Sequence, residues 1–129
     1  MDITVTGVSR TIRTLSRMGE DLLPIIAAAL NEEHEKIMTL AKERTPVDTG
    51  ALRASGHVVP PRIVARSIQS IGAFGGTAAP YAIVVHENLS AFHRVGRSKF
   101  YESAVQDRVS NIGPAVRNAV RGYLVTVSR

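Results

Sequence analysis

Cysteine and tryptophan are both absent from this chain of 129 residues. Without cysteine there can be no disulfide scaffold, no thiol nucleophile and no cysteine-based zinc site, and a reducing compartment suits the chain. Aromatic residues make up only 5% of it, so a mostly aliphatic core is expected. Long hydrophobic runs are missing too. The most apolar stretch, Leu22 to Leu30, falls far short of the ~20 residues that span a bilayer. The opening Met-Asp-Ile-Thr-Val-Thr-Gly is acidic and strand-like rather than a secretory signal. The expectation is a chain outside the membrane with an unprocessed N-terminus.

What is present suits one domain, 1–129, able to bury a core without staples. The hydrophobic fraction is 44% and the net charge +5. That charge is unevenly placed. Residues 1–93 hold nine Lys/Arg against nine Asp/Glu, whereas residues 94–129 hold seven basic residues against Glu102 and Asp107. Such an excess fits a nucleic acid or an acidic partner, or simply a solvated helix face.

Taken in order, residues 1–19 read as a short strand around Ile3 and Val5, then a short helix capped by Ser9 and closed by Gly19. A long helix over 21–44 follows, with Asp21 as N-cap and Pro24 in its first turn. Leu22, Ile26, Leu30, Ile37 and Ala41 form its apolar face at helical spacing, and Glu32, Glu33 and Glu35 are assigned to the wet side. Its length would be roughly 35 Å. Thr45-Pro46 stops it, because a residue before proline is pushed out of the helical region. The corner 45–56 then turns: Asp48 or Thr49 caps a short helix from Gly50 to Ser55, with Leu52 pointing inward.

Residues 57–87 read as a small antiparallel sheet. His57-Val58-Val59, Ile63-Val64-Ala65 and Ser67 to Phe74 are β-rich runs, and Tyr81 to His86 reads as the strongest strand. A loop over 88–97 leads to a C-terminal helix over 98–126, capped by Ser98. Its stripe is Tyr101, Val105, Val109, Ile112, Val116, Val120, Tyr123 and Val127, with a kink at Gly113-Pro114. The fold class is α+β, a small antiparallel sheet packed by the long helix and the kinked C-terminal helix.

No catalytic constellation emerges. Asp48-Thr49-Gly50-Ala51 matches the catalytic turn of dimeric retroviral-type aspartic proteases, in which two carboxylates share a proton. That turn follows a strand in a nearly all-β chain, however, whereas this triplet follows a helix end. His86-Glu87 lacks the second histidine of a zinc-hydrolase helix, because Ser90 stands four residues on. His34, beside the apolar face of the long helix, is expected to be held by a neighbouring carboxylate. Gly96-Arg97-Ser98-Lys99 lacks phosphate-loop spacing. Arg108, Arg117 and Arg121 form a candidate face for DNA or an acidic partner. With no interleaved aromatics, such a face suits phosphate contact rather than base readout.

Three phrases occur in order: Thr45-Pro46-Val47-Asp48-Thr49-Gly50-Ala51-Leu52-Arg53-Ala54-Ser55, Tyr81-Ala82-Ile83-Val84-Val85-His86-Glu87-Asn88-Leu89, and Lys99-Phe100-Tyr101-Glu102-Ser103-Ala104. Together they resemble the tail-component family of long-tailed phages, whose members are also described as tail-completion, neck, head–tail joining or minor capsid proteins. Many members have Glu-x-Gly and Pro-Phe where this chain has His86-Glu87-Asn88 and Lys99-Phe100. The resemblance implies no enzyme activity and no cofactor. It implies a virion structural protein at the head–tail junction, made in the host cytoplasm, and a ring of identical subunits, a hexamer being one such ring. It further implies head connector or adaptor proteins and tail tube or tail terminator proteins as partners, non-specific contact with packaged DNA, and no membrane. Pro46, Asp48, Thr49, Gly50 and Leu52 are then a structural corner. Tyr81, His86, Glu87, Asn88, His93, Arg97 and Lys99 become the candidate interface with subunits or partners, and the edge strand Tyr81–His86 could extend a sheet between subunits.

Overall fold

The computed structural model describes residues 2–5, 21–47, 50–64, 67–76, 82–87, 96 and 98–127. Its organising element is helix α1, Leu22–Arg44. Leu22, Ile26, Leu30, Ile37 and Ala41 are all buried, as their spacing predicts. Glu33, His34 and Met38 are buried with them, so Glu33 does not belong to the wet side. Its position three residues after Leu30 and four before Ile37 keeps the phase of the apolar face. Asp21 occupies the N-cap position without a side-chain cap, and its carboxylate instead accepts a long hydrogen bond of 3.5 Å from the Tyr123 hydroxyl.

The end of α1 follows from Thr45-Pro46. Thr45 takes φ −67°, ψ 129°, the extended backbone that a following proline imposes. Its fully buried hydroxyl donates to the Ala41 carbonyl at 2.7 Å, which satisfies one of the helix's last acceptors. Helix α2, Ala51–Ser55, comes next and buries Leu52. Its N-cap position is Gly50 at φ 84°, while the expected caps Asp48 and Thr49 lie outside the described residues.

The sheet has three strands, β1 (Asp2–Val5), β2 (His57–Val64) and β3 (Ser67–Ala73), in the order β1-β3-β2 and antiparallel throughout. The runs on either side of Pro60-Pro61 are one strand, not two. Val59 pairs with Ile71 and Arg62 with Gln69, so the two prolines stand opposite a single β3 residue in a bulge. An edge strand tolerates this, because its outward amides need no partner in the sheet. Ile68, Ser70 and Gly72 of the central strand β3 face the core.

Tyr81–His86 is not a strand. Ala82–Glu87 forms a short helix, α3, and Tyr81 lies outside the described residues. The β-branched run favours a strand intrinsically, but Ala82 and His86, four apart as on one helix face, are both buried, and that packing overrides propensity. No sheet edge therefore exists here to extend between subunits.

The C-terminal segment is α4 (Phe100–Arg108), a 3-10 turn (Val109–Asn111) and α5 (Ile112–Val127). The kink falls one turn before Pro114. Proline cannot donate to the carbonyl four residues back, that of Ser110, and its ring crowds that carbonyl. The chain tightens there, and Pro114 becomes a first-turn residue of α5, as Pro24 is of α1. Tyr101, Ile112, Val116 and Val120 of the expected stripe are buried, whereas Val109 is 43% exposed in the tightened turn. Lys99, at φ 55°, holds the N-cap position of α4 in place of Ser98.

The layers follow from α1. One side packs on β2 and β3; α4 and α5 pack on another. The core is mainly aliphatic, with an aromatic knot at its centre. Phe74 meets Phe100 and Tyr101 edge-on, at centroid distances of 5.0 and 5.4 Å. The expected short helix after Ser9 lies outside the described residues.

Candidate functional site

Two polar assemblies and one close backbone approach hold the elements together. The first is buried. His34 of α1 hydrogen-bonds through Nδ1 to Ser70 Oγ of β3 and through Nε2 to the Tyr101 hydroxyl of α4, each at 2.6 Å. His34 and Ser70 are 0% exposed, as is Tyr101. The partners are hydroxyls, not the expected neighbouring carboxylate. A neutral imidazole has one donor and one acceptor, and two hydroxyls satisfy it in either tautomer. Burial lowers the His34 pKa to about 4. A Ser–His contact invites a nucleophile reading, yet this one is sealed from solvent and carries no carboxylate behind the imidazole. It serves as a lock between helix, strand and helix.

The second assembly joins α3 to the start of α4. His86 is buried and Glu87 exposed. His86 Nδ1–H donates to Glu87 Oε1 at 2.9 Å, and the Glu102 backbone N–H donates to His86 Nε2 at 3.3 Å. The Lys99 backbone N–H donates to the His86 carbonyl at 2.6 Å. The Lys99 ammonium bonds Glu87 and lies 3.3 Å from Glu102. The hydrogen bond from Lys99, then that from His86, holds Glu87 below the usual carboxylate range, and Glu87 in turn raises Lys99. Of the seven residues expected at the interface, His86, Glu87 and Lys99 thus meet in one clamp, while Tyr81, Asn88, His93 and Arg97 lie outside the described residues.

The corner is tied in from several sides. Arg44 donates to Ser103 Oγ at 3.0 Å and pairs with Asp107 at 2.5 Å, which fixes the end of α1 to α4. Arg53 donates to the Thr45 carbonyl at 3.3 Å. Gly96, at φ 83°, lies against the backbone of the helix stop: a Cβ there would sit 2.5 Å from Thr45 C and 2.6 Å from Pro46 N. Gly96, four residues before α4, therefore lies on the Thr45-Pro46 corner. The sequence marks Gly96 only as a loop glycine, so this approach was not legible. The Asp48-Thr49-Gly50 triplet joins two helices rather than two strands.

The basic residues separate. Arg108 is half-buried and turned to Glu33 at 3.9 Å, and Glu33 also takes Lys36 at 3.0 Å. Arg117 and Arg121 are exposed on α5. Arg108 therefore does not share their face. Among the described residues no group of three or more His, Asp or Glu could hold a metal ion, and no helix is long and apolar enough to cross a membrane.

No curated protein and no solved structure matches the chain. A family model does, over residues 9–103, roughly three quarters of the length. Its description is "Bacteriophage HK97-gp10, putative tail-component". The match takes in α1, the corner, β2, β3, α3 and the first turn of α4, and so includes the His34–Ser70–Tyr101 and His86–Glu87–Lys99 assemblies. The chain belongs to the HK97-gp10-like family of bacteriophage tail components, and its role is that of a virion structural protein.

Proposed function

We propose that the protein acts at the head–tail junction as a homo-oligomeric ring joining the tail to the head connector. The family match carries this reading. The fold is in keeping with it: the buried polar groups lock elements together, and exposed Ile63, Val64, Leu124 and Val125 leave apolar surface for neighbours. Connector or adaptor proteins on one side and tail tube or terminator proteins on the other are the partners this role requires. Light scattering on the purified protein, with negative-stain images of protein and virions, tests the proposal. The expected result is a closed ring in solution and the protein at the neck of the particle. A chain that stays monomeric at every concentration and is absent from virions overturns it.

A ring that DNA threads has use for cations on its inner wall. Arg117 and Arg121, exposed one turn apart on α5, are suited to phosphate contact. Expected is weak, salt-sensitive duplex binding that falls several-fold in the Arg117→Glu, Arg121→Glu double variant. Binding indifferent to both changes removes DNA from the list of contacts.

A further inference from the structure

The β2–β3 hairpin ends in a way that its own fold does not explain. Ile63 pairs with Ile68 and so faces the same side of the sheet. Ile68 is 2% exposed, yet Ile63 is 47% exposed. Val64, facing the opposite side, is 46% exposed. Both faces of this strand end are thus apolar and open. A flat surface would cover one face only, whereas a cleft covers both. Beside them Arg62 is exposed and makes no ion pair among the described residues.

A matching cleft lies on a different part of the molecule. Between α1 and α4 an open cleft of about 300 Å³ is lined by Lys36, Thr39, Leu40, Glu43 and Arg108. That volume has room for two aliphatic side chains, and Leu40 supplies an apolar floor. Lys36 and Arg108 are balanced by Glu32 and Glu33. Glu43 is the charge left over: it is exposed and makes no ion pair among the described residues. The hairpin therefore offers two apolar side chains and an unmatched cation, and the cleft offers an apolar floor and an unmatched carboxylate. The hairpin and the α1 wall of the cleft both fall inside residues 9–103, the part that matches the family, whereas the exposed pair Leu124 and Val125 falls outside it.

We propose that the tip of the β2–β3 hairpin, Arg62-Ile63-Val64, seats in the α1–α4 cleft of a second copy of this chain, with Arg62 meeting Glu43. Two different patches make such a contact head-to-tail, and a head-to-tail contact repeats around a closed ring. The proposal rests on the ring reading above and adds which surfaces form it. Because the chain has no cysteine, introduced thiols report on it cleanly. Val64→Cys and Thr39→Cys are prepared separately and mixed, then oxidised or treated with a short bis-maleimide. The mixture is expected to give covalent dimers several-fold above either variant alone, and a chain carrying both changes a ladder of linked oligomers. Arg62→Glu should weaken assembly several-fold, and Arg62→Glu with Glu43→Arg should restore it. Val64→Cys linking to itself as readily as to Thr39→Cys would mean a symmetric hairpin pairing and would overturn the proposal. So would failure to link while light scattering shows wild-type rings, an outcome that leaves the ring reading intact. A wild-type monomer removes both.

Discussion

Gly72→Ala is expected to destabilise the protein by about 4 kcal/mol, although alanine in a strand interior normally gains roughly 0.5–1 kcal/mol over glycine. A Cβ at this position would overlap the Tyr101 hydroxyl, and it would lie 2.8 Å from His34 Nε2 and 2.9 Å from Tyr101 Cζ. None of the neighbours can retreat easily. Gly72 is on the central strand, paired with Ile3 on one side and Val58 on the other. Tyr101 is fully buried between Phe74 and His34. Overpacking costs about 1–3 kcal/mol, and parting the Tyr101 hydroxyl from His34 adds about 1–3 kcal/mol for a buried group left unpaired. Denaturant unfolding of Gly72→Ala, Tyr101→Phe and the double variant measures both. Removing the hydroxyl relieves the worst overlap, so the double variant should be more stable than the sum of the single losses by about 1 kcal/mol or more. A loss below about 1 kcal/mol for Gly72→Ala, or strict additivity, would show that the strand can give way.

That glycine marks where the sequence stops being informative. Helix α1 was legible because its apolar residues recur at helical spacing over six turns and Thr45-Pro46 supplies a stop that backbone sterics enforce. The burial of Leu52 was legible for a similarly local reason, as the apolar residue of a short helical turn. Glu33 carried a signal that charge obscured: its place between Leu30 and Ile37 keeps the buried phase, and the cations that make its burial tolerable are Lys36 and Arg108. For Ala82–Glu87 the signal itself was ambiguous, since a short apolar run has no period to read. The site was legible only one residue at a time. His34 stood out on the apolar face, but Ser70 and Tyr101 are 36 and 67 residues away, and no local pattern encodes such a meeting. Gly72 looks like any glycine of a turn-rich stretch until Tyr101 is placed above it.

The lock around His34 makes stability depend on acid in a window well above ordinary acid denaturation. In the unfolded chain His34 takes up its proton near 6.5, but in the folded protein burial lowers the pKa to about 4. The folded state therefore binds fewer protons between these values. Stability is full above 6.5 and falls as the pH drops towards 4, below which the loss is complete. At ~1.4 kcal/mol per pKa unit the loss is about 3 kcal/mol, a large share of the ~5–15 kcal/mol that holds a domain together. The charged imidazole would have Ser70 and Tyr101 hydroxyls to donate to and no carboxylate beside it, so nothing in the lock offsets its desolvation. Glu87, held below the usual carboxylate range by Lys99 and His86, adds its own loss of stability at the acid end of this window, so wild type alone does not isolate the effect. His34→Gln does. Its amide can still hydrogen-bond a neighbouring hydroxyl and has no proton to gain. It should start less stable than wild type at pH 7, by about 1–3 kcal/mol, and lose less between pH 6.5 and 4, so that the two unfolding curves converge as the solution is acidified. Parallel curves across that range would mean that His34 stays neutral in both states or protonates in both, and the lock would then be indifferent to acid.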